Sequence, residues 1–229
     1  MGENNNQNNL RVPIALIVAA LVLSGALFLS YSKANNKQSN EEETKLLQKV
    51  ETLLVSDHFL GNPKAEIILV EYSGYDCSFC AGYFINMKKI MEEFGKTGKI
   101  LWIHRHMPFD QIYSRATEKA IMAECAGTTG GEEIFWLASE KLYEATTSKK
   151  DLTPSDLRVL LGLNKSLYDE CLLKESVREK VRREYDEAYN AGVRGIPFTV
   201  VIKGEERYGI AESLPYFELR TLVESLLNK

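Results

Sequence analysis

Two cysteines separated by two residues, Cys77 and Cys80, stand in the stretch Asp76-Cys77-Ser78-Phe79-Cys80. A short apolar, β-branched run precedes them and a helical pattern follows. The spacing therefore puts both sulfurs on the first turn of a helix, close enough to bridge. Unpaired backbone N–H groups and the helix dipole favour negative charge there. A thiolate at Cys77 is stabilised in such a place, and its pKa falls toward the ~3.5–7.5 range. The chemistry that follows is thiol–disulfide exchange, with Cys80 one turn deeper and shielded. The competing chemistry is a metal knuckle, Cys77 and Cys80 joined by His104 and His106. Ligating cysteines sit on tight knuckles, whereas here a strand runs in and a helix runs out. His104 and His106 are expected in ordinary core or surface roles.

Three further sets of residues could serve chemistry. Glu71 lies in the run IILVEY, six residues before Cys77. A carboxylate there is expensive unless it has a partner or a role, the alternative being an edge position that reaches solvent. The segment Gly192-Val193-Arg194-Gly195-Ile196-Pro197-Phe198-Thr199 puts a proline at the mouth of a strand, which only a special turn tolerates. Its plain alternative is a turn before a strand. Cys125 and Cys171 complete an even set of four cysteines, which fits an oxidising compartment. As residues they are equally compatible with two separate buried thiols.

The elements that would position these groups follow from periodicity. Residues 67–72 and 100–104 (ILWIH) read as buried strands, with a helix over about 77–94 between them that stops near Gly95 and Gly98. A tight strand–helix–strand link implies a parallel pair. Residues 111–191 are helical in pattern, broken at 127–131, 146–154 and 162–166, and Thr153-Pro154 marks a helix start. Strands over 198–202 and 207–210 and a last helix opened by Ser213 and Pro215 end the chain.

Residues 12–31 carry no charge, about the 20 residues a helix needs to cross ~30 Å of hydrocarbon. This favours a transmembrane anchor over a cleaved signal peptide, since the run is long for the apolar core of a signal. Residues 1–11 read as a disordered tail. Residues 32–54 read as a polar linker followed by an amphipathic helix with Leu46, Leu47, Val50, Leu53 and Leu54 on one face. The domain proper is 55–229. Arg11 before the span and Lys33 and Lys37 after it lean toward the opposite orientation. The cysteine usage nevertheless puts the domain on the extracytoplasmic side of a single-pass cell-membrane protein. A net charge of −4 argues against nucleic acid as a partner.

The C-x-x-C helix, the G-V-R-G-I-P loop and the helical block between them together resemble the DsbA-like branch of the thioredoxin superfamily, from about residue 55 to 229. The resemblance implies an α/β, thioredoxin-like fold with a helical insertion, here preceded by one N-terminal transmembrane helix. It implies that Cys77 is the nucleophile, Cys80 its buried partner and Pro197 the cis-proline. Ile196 would offer its backbone to an extended substrate, beside Ser78 and Phe79. Glu71 matches the buried acid of such proteins, which aids proton transfer. Cys125 and Cys171 match a cysteine pair in similar surroundings, implying a structural disulfide between inserted helices. No metal or tightly bound cofactor is implied. The partners implied are reduced exported polypeptides and a membrane redox protein that reoxidises the site. Ser78-Phe79 departs from the Pro-His of the strong oxidases in this branch. Phe79 adds no positive charge, so a milder oxidant is expected. Isomerase or reductase activity at the same residues, or a zinc-bound or non-catalytic binding module, are the alternatives.

Overall fold

The computed structural model describes residues 44–112 and 114–228, together with Leu29, Ser30, Lys33, Glu41 and Glu42. The chain divides into two compact units, Met1–Thr44 and Lys45–Lys229. The expected tail over 1–11 lies outside the described residues, as does the expected anchor over 12–31 apart from Leu29 and Ser30. Among the described residues no helix is long and apolar enough to cross a membrane.

The second unit is built on a five-stranded sheet of order β1-β3-β2-β4-β5. Its strands are β1 (His58–Gly61), β2 (Ile67–Ser73), β3 (Ile100–His106), β4 (Phe198–Lys203) and β5 (Glu206–Ile210). β2 and β3 pair in parallel, as the short strand–helix–strand link requires, and the other three pairings are antiparallel. Among the described residues seven α-helices follow β1: α1 (Ser78–Phe94), α2 (Ala116–Gly130), α3 (Glu132–Thr147), α4 (Pro154–Leu160), α5 (Lys165–Leu172), α6 (Glu175–Asn190) and α7 (Tyr216–Leu227). Helices α2 to α6 form one insertion between β3 and β4. Cys125 on α2 and Cys171 on α5 are joined by a disulfide.

Alternation along the central strands divides the core in two. Ile67, Leu69, Ile100 and Trp102 face one cluster, which takes in α1, α7 and most of the insertion. Val70, Tyr72, Leu101 and Ile103 face the other, closed by Leu47, Val50 and the end of α6. Under that second face Arg105 is fully buried and held by both oxygens of Asp57, at 2.9 and 2.7 Å.

Three details depart from the sequence reading. The helix expected to run to residue 54 ends at residue 47, and the chain turns over 48–50. Leu47 and Val50 still reach the core, because a turn spaces them as a helix would. Strand β1 carries no alternation signal, for its residues are half-buried at a sheet edge. The insertion has one further break, at Leu173 and Lys174, between α5 and α6.

Candidate functional site

Cys77 is the N-cap of α1, with φ −92° and ψ 115°. Its Sγ accepts the N–H of Cys80 at 3.1 Å. Both thiols are free and buried. The Cys77 thiol is lowered from 9.0 to about 7. The largest cause is a hydrogen bond from the Cys80 thiol, opposed by burial and aided by the N–H groups of Cys80 and Phe79. No side-chain cation is among these causes. Burial, first, and the Cys77 thiolate beside it push the Cys80 thiol up. The pair is thus split into one sulfur that ionises near neutrality and one that holds its proton.

Asp76 precedes Cys77, and an unpaired carboxylate there would oppose a thiolate. It is ion-paired to Lys119 of α2, whose side chain is 6% exposed. No feature of the sequence marks Lys119, which stands 43 residues away.

The loop before β4 meets the cysteines from the other side. The Ile196–Pro197 bond is cis, and Cys77 Sγ lies 3.8 Å from the Ile196 carbonyl oxygen. Gly74 lies against the same loop, where a Cβ would stand 2.9 Å from Ile196 Cδ1 and turn that side-chain end aside. Ser78 and Phe79 are exposed beside this junction, Phe79 at 72%. The Phe79 carbonyl accepts from Ser213 Oγ.

Glu71 is fully buried on the central strand β2, not at an edge. Trp102 Nε1 donates to its Oε2 at 2.8 Å, while Oε1 has no partner. Burial, partly offset by hydrogen bonds from Ser73 and Trp102, raises the carboxyl from 4.5 to about 7. The Cys77 charge adds to the rise. Trp102 was legible only as an apolar strand residue; its lattice of contacts to a residue 31 positions earlier needed the parallel pairing of β2 and β3.

The metal alternative is not assembled. His104 and His106 are buried on β3, and burial, first, with the neighbouring His106 holds His104 well below its ordinary range. Among the described residues, the one group of ligand type within mutual reach is His106, Glu124 and Glu184, inside 4.8 Å, without either cysteine. Lys180 is ion-paired to both of those glutamates.

A buried dithiol at a strand–helix junction, faced by a proline loop, defines a thioredoxin-type protein. The chain belongs to the thioredoxin family, whose model, described as Thioredoxin, matches residues 54–225. Its fold is DsbA-like: it superposes on the crystal structure of Wolbachia pipientis alpha-DsbA1 with a TM-score of 0.67 at 22% identity, over 79% of this chain and 95% of that one. The chain is 22% identical over 201 residues to a "Probable disulfide bond formation protein D" of Bacillus anthracis, covering 82% of this chain and 85% of the relative. It is 28% identical over 200 residues to a Na(+)/H(+) antiporter NhaA 1 of Mycolicibacterium gilvum, covering 84% of this chain and 31% of the relative. The chain thus spans about a third of the length of that antiporter relative.

Proposed function

We propose that this chain is a thiol:disulfide oxidoreductase that forms disulfides in exported polypeptides through Cys77 and Cys80. The observation that carries the reading is the position of Cys77: it caps a helix with its Sγ 3.8 Å from the Ile196 carbonyl oxygen, and the Cys80 thiol, aided by backbone N–H groups, lowers its pKa to about 7. In the oxidised form a substrate thiolate attacks Cys77 Sγ. The Cys77–Cys80 bond breaks, and Cys80 leaves with the electron pair and takes a proton. Glu71, which exchanges protons near pH 7, serves as the acid beneath it. The substrate's second thiolate then attacks the mixed disulfide and releases Cys77 as a thiolate. The substrate leaves oxidised and the protein reduced by two electrons, which a redox partner in the membrane removes. Ile196 offers its backbone to the substrate, and Pro197, Ser78 and Phe79 shape the groove. The Cys125–Cys171 disulfide braces the insertion. Residues 12–31 hold the chain in the cell membrane as a single-pass anchor, residues 32–54 form its tether, and the catalytic domain 55–229 faces outward.

A thiol near 7 is also what a reductase or isomerase uses, so the same site supports a second direction of exchange. The experiment is oxidation of a reduced two-cysteine peptide by the oxidised protein, with equilibration against a glutathione buffer. Stoichiometric peptide oxidation, lost in Cys77→Ala, is expected. A potential near that of ordinary structural disulfides, below about −300 mV, would exclude the oxidase direction.

A further inference from the structure

The loop that meets Cys77 carries a cation that no acid pairs among the described residues. Arg194 stands two residues before Ile196 and is exposed. Its Nη1 donates to two carbonyls, Tyr189 O at 2.7 Å and Val193 O at 2.8 Å. Its guanidinium lies over the Tyr189 ring, 4.1 Å from the centroid. Tyr189 in turn stacks on Tyr185 at 6.3 Å, and Tyr185 meets Phe109 edge-on at 6.2 Å. Arg105, Arg115 and Arg220 are each held by a carboxylate. Arg194 is held instead by a ring and two carbonyls, and its Nε and Nη2 donors take no partner among the described residues.

This arrangement has a physical consequence. A free arginine loses rotamer freedom when it is fixed on a ligand. Here the ring and the two carbonyls already restrict the side chain, and Nε and Nη2 of the planar fork are left without a partner among the described residues. Such a fork suits a carboxylate. A substrate segment paired against the Ile196 backbone runs past Arg194 after about two residues, roughly 7 Å of extended chain.

We propose that Arg194, braced on Tyr189, is a specificity-determining residue that selects substrate segments bearing a carboxylate about two residues from the reacting cysteine. This rests on the oxidoreductase reading above, since it needs an extended substrate at the Ile196 loop.

The test uses the oxidised full chain and reduced two-cysteine peptides that differ only in Glu, Gln or Lys two residues before or after the first cysteine. Rates are read by acid quench and mass spectrometry. Each is normalised to the same peptide's rate with hydroxyethyl disulfide, which removes the effect of the neighbour on the peptide's own thiol. On one side of the cysteine, Glu is expected to react about ten-fold faster than Lys at low salt, with the gap shrinking as salt screens it. In Arg194→Gln the ratio should approach one, and Arg194→Lys should keep only part of it. Equal normalised rates for Glu and Lys peptides with the unaltered protein would overturn the proposal while leaving the oxidoreductase reading intact. A Glu preference that survives in Arg194→Gln would overturn it too. If no peptide is oxidised, the oxidoreductase reading itself fails and takes this one with it.

Discussion

Replacing Glu71 by Gln isolates the electrostatic cost of the buried acid. The carboxyl ionises at about 7 in the folded protein against an ordinary 4.5, chiefly because burial disfavours its charge. The sign follows from linkage: a raised acid pKa means the unfolded chain releases its proton first. Below pH 4.5 both states are protonated and Glu71 costs nothing by ionisation. Between 4.5 and 7 the folded state loses about 1.4 kcal/mol per pH unit relative to the unfolded one. Above 7 the loss levels off at roughly 3 kcal/mol. Glu71 is fully buried, so solvent does not discount this figure.

Glutamine removes the ionisation and keeps an acceptor for Trp102 Nε1. Its amide N–H₂ takes the place of an oxygen that already lacks a partner, so the exchange adds an offset of at most about 1–3 kcal/mol that does not vary with pH. The diagnostic is therefore the change in ΔΔG with pH, not its absolute value. Urea unfolding of the oxidised proteins, in which Cys77 and Cys80 do not titrate, would be measured from pH 4 to pH 8.5. The variant should gain up to about 3 kcal/mol relative to the parent across that range, most of it between pH 5 and 7, the disulfide lacking the Cys77 charge that adds to the rise. A ΔΔG that stays flat with pH would mean Glu71 ionises as an ordinary carboxylate. The desolvation argument, and with it the acid role under Cys80, would then be refuted.

Four other outcomes follow from the structure. Alkylation of the reduced protein by iodoacetamide should rise with a midpoint near pH 7 at Cys77, with Cys80 unmodified, since one thiol is lowered and the other raised. The lowered thiol also stabilises the reduced fold progressively as pH climbs from about 7 to 9, and that gain is lost as pH falls through 7. Cys125→Ala with Cys171→Ala opens a loop of 46 residues and should cost ~2–4 kcal/mol in urea unfolding, with less effect on Cys77 alkylation. Arg105→Leu leaves Asp57 buried without its partner and should cost about 3–5 kcal/mol, seen as a lower thermal midpoint.

The frame of this fold was legible because its signals are local. The run 67–72 and the run 100–104 are continuous and β-branched, and each strand forms where that pattern stands. Helix α1 begins at Ser78 under the Cys77 cap and stops at the glycines that announce its end. The pair Thr153-Pro154 opens α4 with a full capping box to Asp156. What was not legible depends on long-range packing. Strand β1 has too little burial to impose alternation, and its place beside β3 is decided by the partner strand. The fate of Glu71 could not be read either, because the same six letters fit a central or an edge strand. Only the pairing of β2 with β3 on one side and β4 on the other buries it.

The same distinction divides the labour at the site. Its geometry comes from the core fold: Cys77 from the end of β2, Ile196 from the start of β4, 119 residues apart and brought within 3.8 Å. The insertion adds one ion pair and two hydroxyl contacts. Lys119 of α2 neutralises Asp76 next to the nucleophile. Tyr143 of α3 meets Ser73 at 2.8 Å, and Ser139 of the same helix meets Tyr75 at 2.7 Å. These contacts pack neutral hydroxyls against the end of β2 and the turn that leads to Cys77. The thiolate is consequently left to backbone N–H groups and the Cys80 thiol, which accounts for a pKa near 7 rather than far below it. A cation at Ser78 or Phe79, both exposed beside the nucleophile, would stabilise the thiolate further and make the disulfide a stronger oxidant.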